Sequence, residues 1–299
     1  MIRMILTDLD GTLLRSDRTI SEYTLEVLEK CRRKGILIAI STARGEFNTQ
    51  RQIREMKPDI VISSSGALVK CYSTEKCSDG AQNHDSVLNN DSTMGDDSAM
   101  RNSGAILNDG RKTRGEVIFA SLMSVAETNA LIEAGFQMSD GQCEITVDAL
   151  KAYYWNYKVD PTIEDPDWGE TTYTDYRGFK EEALKLCMLL EEPEMAAKIA
   201  ATIPDCECQR FSGGNWYKFT KAGISKAKAI EEIAKKLGIS VKDMVSFGDD
   251  VTDAEMLNLC GTGVAGANAV PKALEAADEV CESNDEDGVA RWLERNLPF

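Results

Sequence analysis

Met4-Ile5-Leu6-Thr7-Asp8-Leu9-Asp10-Gly11-Thr12-Leu13-Leu14 decides how the rest of the chain is read. Met4 to Thr7 is a short apolar run of the kind that forms a buried strand, and two acids separated by one leucine follow it directly. Successive side chains of an extended backbone alternate, so Asp8 and Asp10 project to one side and Leu9 to the other. Gly11 lets the chain turn sharply. Two carboxylates at the carboxyl end of a parallel strand stand where open α/β sheets bind ligands.

Working outward, strand-like and helix-like segments alternate. Ser21 caps a predicted helix that carries Leu25, Leu28 and Cys31 inward and ends at Gly35. A second strand runs from Ile36 to Ser41, a helix from about Glu46 to Met56, and a third strand from Asp59 to Ser63. The pattern returns near the C-terminus, where Ser225 caps a helix through Leu237, Gly238 closes it, and the strand Met244 to Phe247 delivers Gly248 and Asp249. A helix from about Ala254 to Cys260, short segments at Gly263 to Ala265 and Glu279 to Cys281, and a helix from Val289 to Asn296 complete it. This is the signature of an α/β fold, a parallel sheet with crossover helices.

Between the two halves the texture changes. Residues 73–110 are rich in Ser, Asn, Asp and Gly and contain no aromatic residue, which predicts a mobile polar loop. Beyond them come strands at Glu116 to Ala120 and Ala183 to Leu190 and helices at Ser124 to Gly135 and Pro193 to Ile203. The expected organisation is therefore a discontinuous core, residues 1–67 and 212–299, with an inserted α+β domain at 68–211.

The 299 residues suffice for about two domains. Thirty-four basic against fifty acidic residues leave a net charge of −16, which argues against nucleic acid or an anionic membrane as partner. His84 is the only histidine and lies in the polar loop, so acid–base chemistry falls to carboxylates, and zinc sites that need two histidines are excluded. The nine scattered cysteines form no C-x-x-C pair and read as reduced thiols; Cys206 and Cys208 are placed to share a strand face. With no signal-peptide pattern and no apolar run of membrane-spanning length, the expected location is cytoplasmic. Oligomeric state is not legible.

Other strand ends supply groups that complement the two acids. Ser41-Thr42-Ala43-Arg44 offers a hydroxyl, backbone amides and a cation, together suited to a phosphate. Lys226 stands in the first turn of its helix, where a cation opposes the helix dipole and so fits anion binding better than a structural role. Gly248-Asp249-Asp250-Val251-Thr252-Asp253 adds further acids. Asp8, Asp10, Asp249 and Asp253 against Lys226 and Arg44 leave excess negative charge even before a phosphate binds. Like charges about 4 Å apart cost roughly 4 kcal/mol per pair at an effective dielectric near 20. An oxygen-lined site of this kind calls for a hard cation, Mg²⁺ above all, and leaves a carboxylate able to attack phosphorus.

These motifs, in this order, resemble those of the haloacid dehalogenase superfamily, and within it the Cof-type phosphatases with a class IIB cap inserted after the third strand. The resemblance rests on Asp8-Leu9-Asp10-Gly11-Thr12, on Thr42 in Ser-Thr-Ala-Arg, on Lys226 in Ile-Ser-Lys and on Gly248 to Asp253, with Ser64 to Ala67 and Asn284 to Val289 as further matching segments. It implies a doubly wound, mostly parallel Rossmann-like core and a Mg²⁺-dependent phosphatase acting on a small phosphorylated metabolite. By the same resemblance Asp8 is the nucleophile and a metal ligand, and Asp10 is the general acid–base and lends its backbone carbonyl to the metal. Thr42, Ala43, Arg44 and Lys226 bind the phosphoryl group, Asp249 ligates Mg²⁺, and Asp253 supports the metal directly or from behind. Four positions depart from the pattern. Ala43 replaces a usual Gly, Ser65 and Thr252 replace usual Asn residues, and Gly266 replaces a usual Met.

A sugar phosphomutase shares this chemistry, and a phospho-accepting signalling module or a non-catalytic phosphate-binding protein would use a related constellation. The receiver type usually has adjacent acids and needs no inserted domain. The insert carries 13 basic and 26 acidic residues, a net −13, with Asp160 to Asp175 alone contributing −6. If those loops face the site, substrates with one phosphate are expected to be preferred over polyphosphates. Tyr153, Tyr154, Trp155, Trp168 and Tyr173 could offer a stacking surface, although aromatics in a small domain are more often core.

Overall fold

All four residues of the first strand, β1 (Met4–Thr7), are buried, as an apolar run covered on both faces requires. In the computed structural model, which describes residues 1–73, 105–106, 112–113, 115–157, 169–212 and 214–298, β1 lies inside an eight-stranded sheet. After β1 the chain forms α1 (Glu22–Arg33), β2 (Leu37–Ser41), α2 (Gln50–Met56), β3 (Ile60–Ser63) and β4 (Leu68–Cys71). A short pair, β5 (Ala105–Ile106) and β6 (Lys112–Thr113), precedes β7 (Glu116–Ala120).

A second sheet follows, built from β8 (Glu144–Asp148), β9 (Tyr153–Trp155), β10 (Thr171–Tyr173), β11 (Lys185–Leu189), β12 (Cys206–Arg210) and β13 (Trp216–Lys221). Its helices are α3 (Val125–Met138) and α4 (Pro193–Ala200). The chain then returns to the first sheet through α5 (Lys226–Leu237), β14 (Met244–Gly248), α6 (Ala254–Leu259), β15 (Thr262–Gly266), α7 (Pro271–Ala276), β16 (Glu279–Cys281) and α8 (Gly288–Asn296).

The first sheet has the order β16-β15-β14-β1-β2-β3-β4-β7. Its first six strands are parallel, with Thr7 opposite both Ile40 and Phe247, and β4 and β7 extend it antiparallel. Successive connections leave β1 in opposite directions, which makes its carboxyl end the switch point at which such sheets take ligands. Alternate residues feed two cores. Ile5, Ile38, Ile40, Val61 and Phe247 pack with Leu28 and Trp292, whereas Met4, Leu6, Ala39, Ile60 and Ile62 pack with Ile230 and Ile233.

The second sheet, of order β10-β9-β8-β11-β13-β12, is mainly antiparallel and covered on one face. Ile145, Val147, Leu186, Met188, Tyr217 and Phe219 pack together with Leu131 of α3 and Ile199 of α4. Residues of opposite parity face the carboxyl ends of β1, β2 and β14. Cys206 and Cys208 do share a face, and it packs on this core.

The expected boundaries of the insert require correction at both ends. Leu68–Cys71 and Glu116–Ala120 belong to the first sheet, and Trp216–Lys221 is hydrogen-bonded between β11 and β12 of the second. The crossings therefore fall between Ala120 and Met123 and close to Ala222, not at 67/68 and 211/212. Composition marked the polar stretch, but not the apolar strands on either side of it that complete the sheet. That stretch, including His84, lies outside the described residues apart from Ser73 and the two positions of β5, and so do Trp168 and residues 158–168 of the acidic loop. Seven cysteines among the described residues are free, as expected, but Cys71 is disulfide-bonded, which corrects the expectation that every thiol is reduced. No helix among the described residues is long and apolar enough to cross a membrane.

Candidate active site

Asp8, Asp249 and Asp253 each offer a carboxylate oxygen within 4.8 Å of the others, the one such group among the described residues. β1 delivers Asp8, and β14 delivers Asp249. Asp253 lies one turn further on, fully buried, and its Oδ2 accepts the backbone N–H groups of Asp249 at 3.1 Å and Asp250 at 3.0 Å. Lys226 Nζ donates to Asp8 Oδ1 at 2.7 Å and to Asp253 Oδ1 at 2.5 Å. Its helix begins where Ser225 Oγ accepts from Lys228 N.

Two glycines permit these approaches. At Gly11, with φ +77°, a Cβ would stand 2.3 Å from an Asp249 carboxylate oxygen. At Gly66, with φ +104°, it would stand 2.2 Å from the Ser225 carbonyl oxygen. Asn268 secures the turn after β1 by donating from Nδ2 to the Gly11 carbonyl at 2.7 Å, and Asn284 donates to the Leu14 carbonyl at 2.9 Å. Thr12 Oγ1 donates to Asp249 Oδ1 at 2.6 Å.

Crowding of acids with little water sets the electrostatics. Burial pushes the Asp8 carboxyl well above its ordinary range, Lys226 opposes this, and Asp253, Asp249 and Asp10 add to it. Burial raises Asp249 to about 6 against the hydrogen bond from Thr12. Burial also disfavours charge on Lys226, but Asp253 and Asp8 outweigh it and hold the ammonium above its usual range. An all-oxygen donor set with more negative charge than one lysine offsets fits a hard divalent cation such as Mg²⁺.

Thr42, Ala43 and Arg44 follow β2. Thr42 is buried and its Oγ1 accepts from Arg44 N at 3.1 Å. Ala43 has no left-handed backbone, so its Cβ replaces the usual glycine hydrogen without strain. Arg44 is not free for a phosphate in this structure. Its Nε donates to Asp10 Oδ2 at 2.6 Å, its Nη2 binds Asp10 Oδ1, and its Nη1 reaches the Asn48 carbonyl. Asp10 itself remains accessible on the cavity side.

The cap closes directly over these loops. Asp148 Oδ2 accepts from Ser64 Oγ at 2.9 Å and lies 3.0 Å from Lys185 Nζ, which in turn donates to the Ala43 carbonyl at 2.6 Å. The space enclosed is a cavity of about 620 Å³, with Asp8, Asp10, Thr42, Lys226 and Asp249 on the core side. Tyr153, Trp155, Lys185, Cys187 and Trp216 stand on the cap side.

Asp8, Asp10, Thr42, Ala43, Arg44, Lys226 and Asp249 thus all line one cavity, while Asp253 supports it from behind. Thr252 reaches the cavity, but Ser65 Oγ is buried without a hydrogen-bond partner. The aromatic expectation divides by strand parity. Tyr153 and Trp155 face the cavity, Tyr154 packs edge-on against Phe179 in the cap core, and Tyr173 is exposed. Asp148, Lys185 and Trp216 were missed. The polar–apolar alternation of Glu144 to Asp148 signals a one-sided sheet, yet nothing local reveals what its polar face covers.

A sequence profile described as haloacid dehalogenase-like hydrolase matches residues 5–91 and 81–293. The chain is 24% identical to the 5-amino-6-(5-phospho-D-ribitylamino)uracil phosphatase YitU of Bacillus subtilis, over 97% of this chain and 96% of that one. It is 22% identical to the HMP-PP phosphatase of Cronobacter sakazakii, over 92% and 87%. Among solved structures it is similar to the HAD subclass IIB sugar phosphatase BT4131, with a TM-score of 0.70 at 22% identity over 98% of each chain. The phosphatase BT1666 of Bacteroides thetaiotaomicron aligns with a TM-score of 0.69 at 22% identity, over 99% and 95%.

Proposed function

The chain belongs to the haloacid dehalogenase-like hydrolase family, and on that premise we propose that it is a Mg²⁺-dependent phosphatase that hydrolyses a small phosphomonoester, a sugar phosphate or similar metabolite, through a phosphoryl group carried on Asp8. The observation that carries this reading is the Asp8 carboxylate, held by Lys226 among three acids at the floor of a covered cavity.

The residues act in order. Lys226 and the Thr42 hydroxyl receive the phosphate oxygens and bring phosphorus against Asp8. A carboxylate oxygen of Asp8 attacks phosphorus while the bond to the leaving oxygen breaks, and Asp10 gives that oxygen its proton. Asp10, now ionised, takes a proton from water, which attacks the same phosphorus, releasing phosphate and restoring Asp8. Asp8, Asp249 and the Asp10 carbonyl would hold Mg²⁺, which when bound offsets the charge shared by the carboxylates and the phosphate. The cap, latched through Asp148 and Lys185, excludes bulk water from the mixed anhydride.

A cavity of about 620 Å³ suits a metabolite. The test is hydrolysis of p-nitrophenyl phosphate. Activity that disappears with chelator and returns with Mg²⁺ supports the reading, and hydrolysis indifferent to chelator overturns it.

A further inference from the structure

Each cation that lines the cavity among the described residues already has a carboxylate. Arg44 holds Asp10, Lys185 lies 3.0 Å from Asp148, and Lys226 bonds Asp8 and Asp253. On the cap wall the balance is reversed. Glu144 lines the cavity, half-buried, and makes no ion pair among the described residues. Burial raises its carboxyl above the ordinary range, the Trp155 indole N–H opposes this, and no described lysine or arginine contributes. A carboxylate part-way out of water loses hydration that no charge on this wall restores.

The register of the cap sheet fixes where Glu144 stands. Asp148 of β8 pairs with Tyr153 and Lys185, and this row meets the phosphate-binding loops, since Asp148 accepts from Ser64 and Lys185 donates to the Ala43 carbonyl. Thr146, one row further out, pairs with Trp155 and Cys187. Glu144 stands in the third row, opposite Leu189, which pairs in turn with Trp216. Four residues of strand, about 13 Å, separate it from Asp148, so Glu144 marks the end of the wall remote from those loops. Trp155 on β9 and Trp216 on β13 are three strand spacings apart, about 14 Å, with Glu144 and Leu189 on the two strands between them. A leaving group extending from Asp8 along this trough passes between indoles and ends at one unmatched negative charge. Indole faces attract cations as the carboxylate does, so both elements of the trough favour the same partner. A neutral sugar would leave Glu144 uncompensated.

We propose that Glu144 receives a cationic nitrogen of the leaving group, so that the preferred substrates are ring-bearing phosphomonoesters with an amine on the side of the ring away from the phosphate. This rests on the phosphatase reading and goes beyond it by assigning the far end of the cavity a charge to recognise.

Two substrate pairs test it in the Mg²⁺-loaded protein near neutral pH. Glucosamine 6-phosphate against glucose 6-phosphate reads an ammonium on a saturated ring, and 4-(aminomethyl)phenyl phosphate against 4-(hydroxymethyl)phenyl phosphate reads one on a flat ring. A charge-assisted contact predicts at least about a tenfold higher kcat/KM for the cationic member of one pair, carried mainly by KM. Glu144→Gln keeps the size of the side chain and removes its charge, and is expected to bring that ratio close to one. Glu144→Lys is expected to bring it below one. A wild-type ratio below about tenfold in both pairs overturns the proposal, as does a ratio that Glu144→Gln leaves intact. If Glu144→Gln fails to fold by circular dichroism, Glu144→Ala replaces it, and the wild-type ratios still decide. Failure to hydrolyse p-nitrophenyl phosphate would instead sink the phosphatase reading and this proposal with it.

Discussion

Arg44 grips Asp10 with two nitrogens, Nε at 2.6 Å from Oδ2 and Nη2 on Oδ1, so the proposed acid–base is aimed by a side chain from the neighbouring strand end. A lysine offers one point charge in place of a planar fork and cannot reproduce this hold. Arg44→Lys is expected to lower kcat/KM for p-nitrophenyl phosphate by roughly tenfold or more, within the range that general acid–base groups supply. Steady-state kinetics with a melting curve checks this. Unchanged turnover in a folded variant would show that Asp10 needs no such positioning.

Lys226 compensates two buried acids at once, with only 2% of its side chain exposed. Removing one partner of a buried ion pair costs about 3–5 kcal/mol, because the remaining charge stays buried. Lys226→Met is therefore expected to lose both activity and metal-free stability, and to regain part of the stability on addition of Mg²⁺. Denaturant unfolding with and without Mg²⁺ measures both effects.

Raised carboxyl pKa values at Asp8 and Asp249 have a definite sign. The folded value of Asp249, about 6, exceeds its ordinary 3.8, so its contribution favours the metal-free fold below about pH 4 and is lost as pH rises through 6. Metal must displace those protons, so its affinity grows over the same interval. Mg²⁺ is expected to raise the melting temperature more at pH 7.5 than at pH 5. An equal or larger gain at pH 5 would count against Asp249 as a ligand.

Gly66 lies on the backbone that carries Lys226, and a Cβ there would meet the Ser225 carbonyl and the Lys226 amide at φ +104°. Gly66→Ala is expected to destabilise by about 1–3 kcal/mol from backbone strain and to reduce turnover by shifting Lys226. Thermal unfolding and kinetics on the same preparation check this; Gly141→Ala, at φ +78° but with nothing within 4 Å of a Cβ, measures the cost of the backbone angle alone and leaves Lys226 in place.

How far the sequence was informative follows from how local each signal was. Asp8, Asp10, Thr42, Lys226 and Asp249 sit within a few residues of strand ends or helix caps, so motif and element together locate them, and Ser225 and Gly238 delimit α5 as read. Arg44 was read toward phosphate because its partner Asp10 is 34 residues away and only strand order joins them. Asp148, Lys185 and Trp216 were not found for the same reason. Their strands are short, and their facing depends on the pairing of β8, β11 and β13, which no local pattern encodes. The strands Leu68–Cys71 and Glu116–Ala120 were assigned to the insert because the polar stretch between them dominated the composition.

The central claim is that Asp8 carries the phosphoryl group. Acid quench of the Mg²⁺-loaded protein within one turnover of a ³²P-labelled phosphomonoester, followed by peptide mapping, tests it most directly. The account predicts acid-stable, base-labile label on the peptide containing Asp8, absent from Asp8→Asn. Label on another residue, or turnover by Asp8→Asn comparable to wild type, would contradict it.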